Sequence, residues 1–214
     1  MTMQISTRHG SQLVSELVTV IKRNRDYLSE IDGAIGDGDH GINMAKGFSL
    51  CGEKLNQQQS LAEAFDTLSD ALMEGIGGSM GPLYGSFFMG MADRIRPKSF
   101  LTAEDFADML RAGLTELQDI SEAGVGDKCL MDTLIPAVEM AERRAAEGYP
   151  IMLEAMGEAA RRGRDSTRDL VAKIGRASRL GERSRGVLDA GAVSCCLLLE
   201  QMAACAQQQL TEKA

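Results

Sequence analysis

The stretch Ser60-Leu61-Ala62-Glu63-Ala64-Phe65-Asp66-Thr67-Leu68-Ser69-Asp70-Ala71-Leu72 shows the pattern that decides the fold class of this chain. Its larger apolar residues recur at intervals of three and four and therefore lie along one face of an α-helix. These residues are Leu61, Phe65, Leu68 and Leu72. Ser60 is followed three positions later by Glu63, which is the spacing of a capping box and predicts that the helix begins there.

The same periodicity recurs along most of the chain, with short and often glycine-rich connections. Thr102 is a predicted N-cap, because the acidic residues Glu104 and Asp105 follow it in the first turn of another amphipathic stripe. The periodic segments cover approximately residues 13–31, 43–55, 61–72, 82–95, 102–117, 131–147, 151–174 and 190–208. No stretch shows the sustained alternation of a half-buried β-strand. We therefore predict one all-α domain over residues 1–214, built from about eight amphipathic helices.

The charge of the chain limits the ligands that it can bind. It carries 31 acidic and 23 basic side chains, which gives a formal net charge of -8. This balance argues against general nucleic-acid binding, which needs a basic face. A phosphorylated ligand is still possible if a metal ion supplies positive charge locally.

The cysteines and the apolar segments predict a cytoplasmic protein. The five cysteines contain no Cys-x-x-Cys pair, so we expect buried free thiols in a reducing compartment. The first eleven residues have no apolar core of a signal peptide. The longest apolar stretch, residues 187–199, is interrupted by Asp189, Gly191 and Ser194, and we expect no membrane span.

The most informative connection is Ile31-Asp32-Gly33-Ala34-Ile35-Gly36-Asp37-Gly38-Asp39-His40-Gly41-Ile42-Asn43. Its glycines match the dinucleotide fingerprint Gly-x-Gly-x-x-Gly, but no strand precedes them and the intervening carboxylates would repel a pyrophosphate. The EF-hand template fails as well, because Phe48 stands where a bidentate glutamate is required.

Three aspartates, Asp32, Asp37 and Asp39, fall within eight positions of this acidic loop. Close carboxylates repel one another, so their clustering favours a bound cation, and hard oxygen ligands suit Mg²⁺. The helix that begins near His40 would offer free N–H groups to an anion beside the metal. A solvated acidic turn with Asp39 as helix cap is the alternative that the residues alone leave open.

Two later segments fit a phosphate ligand. The glycine-rich run Gly75–Pro82 leads into a helix opened by proline, and the run Gly175–Gly186 carries four arginines. No Walker A motif is present, so we expect any nucleotide site to be built from helix ends and loops. A solvated basic turn is the alternative for at least two of the arginines.

Four blocks in this order resemble the L subunit of dihydroxyacetone kinase. They are Asp32…Gly-Asp37-Gly-Asp39-His40-Gly41-x-Asn43-Met44, Gly77-Gly78-Ser79-x-Gly81-Pro82-Leu83-Tyr84-Gly85, Gly126-Asp127-Lys128, and Gly175-Arg176-Ala177-Ser178-x-Leu180-Gly181-Glu182-Arg183-Ser184. The resemblance covers nearly the whole chain. It implies a single-domain antiparallel barrel of eight helices that binds ADP or ATP and two Mg²⁺ ions at one end.

The resemblance also implies the roles of individual residues. Asp32, Asp37 and Asp39 would be the metal ligands. The residues lining the nucleotide would be His40, Gly41, Asn43, Gly78, Ser79, Met80, Leu130, Arg176, Asp189 and Gly191. Two departures bear on this set: Ser79-Met80 stands where Ala-Ser is expected, and Asp189-Ala190-Gly191 replaces Asp-Pro-Gly.

The function implied is that of a phosphotransferase subunit. It would hold Mg-ADP, which a phosphohistidine-carrying phosphotransferase subunit converts to ATP, and pass the γ-phosphoryl to dihydroxyacetone or a similar short ketose. The family holds the ketose on a histidine of a K-type subunit, whereas this sequence has only His9 and His40. We therefore expect a separate K-type partner.

Other functions are compatible with the sequence. The chain could serve an ATP-dependent kinase of another ketose such as erythrulose, or act as a non-catalytic, nucleotide-sensing interaction module. A transcriptional regulator is a further partner that the resemblance allows. A fatty-acid kinase relative with a similar aspartate loop is disfavoured, because the additional domains of that family are not found in these 214 residues.

Overall fold

The computed structural model describes residues 3–8 and 10–211, and these residues form an almost entirely helical protein. Within them lie the α-helices α1 (Ser11–Arg23), α2 (Arg25–Ile35), α3 (His40–Lys54), α4 (Leu61–Gly75), α5 (Met80–Ile95), α6 (Ala103–Asp119), α7 (Met131–Arg144), α8 (Tyr149–Ser166) and α9 (Ala190–Thr211). Two 3₁₀ segments span Ala145–Glu147 and Arg176–Ser184. The short strands β1 (Ile5–Ser6) and β2 (Phe100–Leu101) pair antiparallel, with Ile5 opposite Leu101.

The helices close into a barrel. Each helix from α3 to α9 packs against the next along the chain, and α9 packs against α1, which in turn packs against α3. Consecutive helices from α3 to α9 start at alternate ends of the barrel, so neighbours along the chain are antiparallel. The predicted all-α antiparallel barrel is therefore confirmed.

The apolar stripes of the helices fill the centre of the barrel. The stripe of α4 predicted from the sequence is fully inside, since its members are at most 2% exposed. The ring of Phe88 packs against that of Phe65, with centroids 5.6 Å apart, and edge-on against that of Phe48. Burying side chains of this size stabilises the fold by about 1.5–3 kcal/mol each. Phe88→Ala would leave a cavity and cost about 3–5 kcal/mol.

The two largest differences from the predicted helices lie at Asn24 and Ser166. The first predicted helix is divided at Asn24, whose side chain donates to the carbonyl of Val20 and so ends α1. The predicted helix over 151–174 ends at Ser166, where the Thr167 hydroxyl donates to the carbonyl of Arg164. In both places a polar side chain bonds the backbone at the last turn, a local competition that apolar periodicity does not reveal.

Helix α9 carries the apolar stretch of the C-terminal region. By length and composition it is the one helix of the described part that could cross a membrane, but most of that stretch is buried inside the protein. Its residues Leu198, Leu199 and Met202 are at most 1% exposed and pack in the barrel core. Burial within the barrel accounts for its apolar character.

Different sets of helices begin at the two ends of the barrel. Helices α4, α6 and α8 start at one end, which we call the capped pole, and α3, α5, α7 and α9 start at the other, the open pole. At the capped pole the predicted capping box is confirmed, with the Ser60 hydroxyl accepting from the Glu63 amide at 3.3 Å. The predicted N-cap Thr102 is confirmed as well, in a second capping box with Asp105. At the open pole α3, α5 and α7 begin without a bond from the cap side chain.

Candidate functional site

The open pole surrounds a cavity of about 700 Å³. The starts of four helices, the end of α2 and the segment around Arg176 form its wall. The lining combines apolar side chains, among them Leu83, Ile120 and Ile174, with a group of carboxylates. An apolar surface beside a few convergent polar groups is typical of a small-molecule site, and its size suits a nucleotide.

The three aspartates of the acidic loop meet in this cavity. Asp32 lies in the last turn of α2 and Asp39 is the N-cap of α3, so the short loop between the helices brings them together with Asp37. Ligand oxygens of the three carboxylates lie within 4.8 Å of one another. The amide of His40 points to Asp32 Oδ2 at 3.4 Å, which fixes that carboxylate against the start of α3.

The chemistry of this donor set fits Mg²⁺. Three carboxylates this close repel one another unless positive charge compensates them. A cluster of hard oxygen donors, partly exposed to water, matches the preference of Mg²⁺ for one or two carboxylates with water and phosphate completing its coordination. Asp32, Asp37 and Asp39 are the residues that could hold such an ion.

Arg176 supplies positive charge at the same place. Its guanidinium forms an ion pair with Asp37 across the cavity mouth. The side chain is 64% exposed, so it is able to exchange this partner for another anion. A planar guanidinium is well suited to bidentate binding of phosphate.

The start of α5 forms another part of the wall. Gly78 has a φ of 72°, in the left-handed region that glycine adopts without strain, and a Cβ there would meet nothing within 4 Å. Ser79 is the N-cap of α5, and its hydroxyl makes no capping bond. The first N–H groups of this helix therefore have no side-chain cap, and they lie beside residues that line the cavity, where they could bind an anion.

Asp189 caps the start of α9 and lines the cavity. Its Oδ2 accepts from the amide of Ala192 at 2.8 Å, and its own amide donates to the Thr167 hydroxyl at 3.0 Å. Burial raises the pKa of Asp189 to about 7, although the bond from Ala192 acts in the opposite direction. This carboxyl is therefore far less acidic than an exposed aspartate.

His40 is held in a hydrogen-bonded chain behind the acidic loop. Its Nε2 lies 2.9 Å from Ser194 Oγ, which lies 2.7 Å from the hydroxyl of Tyr84. Burial lowers the pKa of His40 to about 4, so the imidazole is neutral at pH 7. The chain fixes the orientation of the ring beside the predicted metal ligands.

The structure brings nearly all of the residues predicted from the sequence to this one cavity. Lining residues from that set are Asp32, Asp37, Asp39, His40, Asn43, Gly78, Ser79, Met80, Leu130, Arg176, Asp189 and Gly191. Gly41 is not among them. It is packed against α2, where a Cβ would lie 1.9 Å from the carbonyl oxygen of Arg25. A glycine is therefore needed here for close packing of α3 against α2, and the place of Gly41 in the nucleotide site stays a prediction.

Several lining residues were not predicted. Lys128, Tyr84, Ile120 and Ile174 belong to the same wall. Tyr84 and Lys128 lie within the blocks that carry the family resemblance, so those blocks contained a signal for them. Ile120 follows α6 at a position that no motif distinguishes, and Ile174 was predicted to end the helix over residues 151–174, whereas it lies in the loop after α8.

Comparison with known proteins identifies the class. The sequence model of the DAK2 domain matches residues 34–204, and the chain belongs to this family. It is 37% identical over 192 residues to the PEP-dependent dihydroxyacetone kinase 2, ADP-binding subunit DhaL, of Listeria innocua, covering 87% of this chain and 89% of that one. It is 34% identical over 193 residues to the PEP-dependent dihydroxyacetone kinase, ADP-binding subunit DhaL, of Escherichia coli, covering 88% and 92% respectively.

Solved structures show the same fold. The dihydroxyacetone kinase of C. freundii in its native form matches with a TM-score of 0.71 at 24% identity. The same kinase in complex with AMP-PNP and Mg²⁺ matches with a TM-score of 0.70 at 23% identity. These matches cover 92% and 91% of this chain, which spans about a third of the length of the solved kinase chains.

Proposed function

We propose that this chain is the nucleotide-holding subunit of a ketose kinase. It binds Mg-ADP or Mg-ATP and passes the γ-phosphoryl to dihydroxyacetone, or a similar short ketose, held on a separate K-type subunit. The names of its DhaL relatives support ADP as the resident nucleotide. We further propose that residues 1–214 act as one nucleotide-binding domain.

The observation that carries this proposal is the convergence of charge and helix starts in one cavity. Asp32, Asp37 and Asp39 gather at the mouth, Arg176 faces them, and four helices begin around them. A helix N-terminus favours an anion, whereas a carboxylate cluster favours a cation. A nucleotide bound with magnesium satisfies both preferences at once.

The three aspartates would hold two Mg²⁺ ions, which supply neutralisation of the phosphate charge that builds up during transfer. The first turns of α3 and α5 bind and orient the phosphates through their free N–H groups. Apolar residues of the cavity wall, such as Leu83 and Ile174, exclude water from the adenine base of the nucleotide. The protein acts by positioning and charge, and none of its side chains needs to be a nucleophile.

Arg176 changes its partner in this mechanism. Without ligand, its guanidinium neutralises Asp37. When the nucleotide binds, Asp37 turns to the cation and Arg176 binds a phosphate oxygen. The exposure of both side chains allows the exchange at little cost, because a solvent-exposed ion pair is worth about 0–1 kcal/mol.

The transfer step needs a partner at the cavity mouth. A hydroxyl oxygen of the ketose bonds to the γ-phosphorus as the bond to the β–γ bridging oxygen breaks, and the hydroxyl proton leaves to a base on the partner. Of the two histidines in this sequence, His40 is bonded to Ser194, and His9 lies outside the described residues. We therefore assign binding of the ketose to a K-type subunit. Rephosphorylation of ADP to ATP is assigned to a phosphohistidine-carrying phosphotransferase subunit.

The first experiment tests nucleotide binding. The purified chain is heat-denatured in the presence of EDTA, and the supernatant is analysed for adenine nucleotide. We expect ADP at close to one equivalent, or a measurable affinity for added ADP that requires Mg²⁺. A chain that neither releases nor binds adenine nucleotide contradicts the proposal.

The second experiment separates the kinase from a nucleotide-sensing module. The chain, Mg²⁺ and a K-type subunit are supplied either with ATP or with a phosphohistidine donor, and dihydroxyacetone and erythrulose are compared as acceptors. Formation of a ketose phosphate supports the kinase subunit and identifies the donor and the ketose. Nucleotide binding without any ketose phosphate under either donor supports the sensing module instead.

Two further assignments belong to this proposal. The chain acts in the cytoplasm, where its five thiols stay reduced and its phosphoryl donors are found. It also contacts a transcriptional regulator, reporting the phosphorylation state of its nucleotide. A pull-down with ADP-loaded and ATP-loaded protein tests this contact, and equal recovery in both states contradicts it.

A further inference from the structure

Lys128 has an unusual conformation and environment. It is the one described residue other than glycine that has a positive φ, at 64°, and it is only 2% exposed. A side chain with a Cβ enters this region at a cost that the surrounding contacts must offset. Burial lowers the pKa of its ammonium. Such a combination of backbone strain and buried charge needs a specific reason.

The ammonium of Lys128 is bonded to backbone oxygens. Its Nζ donates to the carbonyls of Thr167 at 2.6 Å, Val187 at 2.6 Å and Leu170 at 3.3 Å. It makes no ion pair with any carboxylate of the described residues within 4.0 Å. The three donors of the group are thus all used to join segments of backbone.

Those carbonyls belong to the two ends of a single loop. Residues 171–186, which we call the arginine loop, leave the end of α8 and return before α9. Thr167 and Leu170 precede this loop, and Val187 follows it. Further bonds join its ends: the amide of Ala172 donates to Ser184 Oγ at 2.9 Å, and that of Gly186 to the carbonyl of Arg168 at 2.7 Å.

The hydrogen bonds at the base of the arginine loop connect to the cavity wall through two segments. Lys128 is followed by Cys129 and Leu130, which line the cavity. On the other side the Thr167 hydroxyl accepts from the amide of Asp189, which also lines it. Arg176 extends from the loop to Asp37. The position of Arg176 therefore depends on how the ends of the arginine loop are held.

We propose that Lys128 is a positioning residue of the nucleotide site. It holds the two ends of the arginine loop together so that Arg176 faces the aspartates of the acidic loop. Its ammonium binds the backbone carbonyls of the loop ends and not the phosphates of the nucleotide. The evidence that Lys128 closes the loop is the set of hydrogen bonds described above. The expected effect on nucleotide affinity rests in addition on the proposed function.

Lys128→Met in the full chain tests this role, with two measurements. Trypsin cleaves after the exposed residues Arg176, Arg179, Arg183 and Arg185, so its rate at these sites reports opening of the loop. We expect cleavage there to become about tenfold faster, and the Kd for ADP with Mg²⁺ to rise about tenfold, because a buried charge-assisted joint is lost.

A matched control separates positioning from general stability. The hydroxyl of Tyr149 also donates to two backbone carbonyls, those of Leu101 and Thr102, but at the capped pole. Tyr149→Phe should lower the melting temperature while leaving cleavage of the arginine loop and the Kd for ADP at wild-type values. A Lys128→Met protein with wild-type cleavage and wild-type affinity overturns the inference. The inference is also overturned if Tyr149→Phe lowers the melting temperature equally and produces the same changes in loop cleavage and in the Kd for ADP.

A second variant covers the case in which Lys128→Met does not fold. Ser184→Ala removes the bond between the two loop ends without leaving a buried charge. It should accelerate cleavage of the arginine loop and raise the Kd for ADP in the same direction as Lys128→Met, and unchanged cleavage contradicts the account of the loop base. If the wild-type chain binds no ADP, the proposed function fails, and the trypsin measurement still decides whether Lys128 closes the loop.

Discussion

The capped pole and the open pole of this barrel treat the same physical problem in opposite ways. Every helix start leaves backbone N–H groups without a partner in the helix. At the capped pole α4 and α6 satisfy theirs with the side chains of Ser60 and Glu63 and of Thr102 and Asp105. At the open pole the cap residues of α3, α5 and α7 make no such bond, and only α9 has a side-chain cap there, from Asp189, among the described residues.

This difference separates stability from binding. Each capping residue stabilises its helix by about 1 kcal/mol, and the open pole gives up part of this contribution. In return the starts of α3 and α5, which have no side-chain cap bond, leave N–H groups and the positive ends of their dipoles available for an anion. The acidic loop and Arg176 sit at this pole, where a magnesium nucleotide would satisfy both.

The largest effect is expected for Asp37→Ala. Removing one carboxylate of the cluster should weaken Mg-dependent ADP binding on the order of 100-fold, or about 2.7 kcal/mol. The helical circular dichroism should be retained, because Asp37 is exposed in a loop. Calorimetric titration of ADP in the presence of Mg²⁺ measures the change.

The matched control for Asp37→Ala is Asp66→Ala, which also breaks an exposed pair, between Asp66 and Arg96, but outside the cavity. This variant should bind ADP like the wild type. Full ADP affinity in Asp37→Ala would show that the acidic loop is a solvated turn and not a metal site.

A smaller and two-sided effect is expected for Arg176→Gln. Losing the charge should weaken ADP binding about tenfold, because one charge-assisted phosphate bond is lost. The same variant should bind Mg²⁺ alone more tightly, since Asp37 no longer has a competing cation beside it. Titrating Mg²⁺ with and without ADP separates the two directions. Weaker binding of both ligands would contradict the exchange of partners.

At the capped pole, Ser60→Ala should reduce the free energy of unfolding by about 1 kcal/mol, because the Glu63 amide loses its side-chain acceptor. Chemical denaturation measures this loss. Nucleotide affinity should not change. The corresponding substitution at the open pole, Ser79→Ala, should leave stability nearly unchanged, since that hydroxyl makes no capping bond. Equal destabilisation by the two variants would remove the contrast between the poles.

The last effect concerns the shape of a pH profile. The pKa of Asp189 is about 7 in the fold and 3.8 as its ordinary value, so the folded chain holds a proton that the unfolded chain has released. The contribution of this group to stability is therefore highest at low pH and is lost as pH rises from about 4 to 7.

Asp189→Asn removes this contribution, because asparagine keeps an acceptor for the Ala192 amide but does not titrate. The difference in unfolding free energy between the variant and the wild type should therefore grow in favour of the variant up to about pH 7 and then stay level. Denaturant unfolding of both proteins from pH 5 to pH 8 measures it. A constant difference over this range would mean that the carboxyl is already ionised.

The sequence predicted the helices better than the site. Stripes such as that of Leu61 and Phe65 are local signals of period 3.6, and both N-caps read from the sequence were confirmed. The break at Asn24 was missed because the apolar stripe continues across it. Helix α8 was drawn too long because its end depends on side-chain bonds to the backbone.

The candidate site required the tertiary structure. The acidic loop was visible because its three aspartates are close in sequence, but the approach of Arg176 to Asp37 joins residues 139 positions apart. Helical periodicity does not determine which starts share a pole until the helices are arranged in the barrel. The left-handed backbone of Lys128 has no signal in residue type, because lysine rarely adopts it.

The most direct test of the contrast between the poles is hydrogen–deuterium exchange of the full chain with and without Mg-ADP. The account predicts slower exchange in the first turns of α3 and α5 when the nucleotide is bound, and no change in the first turns of α4 and α6, whose N–H groups already have side-chain partners. Protection at the capped pole, or none at the open pole, would contradict it.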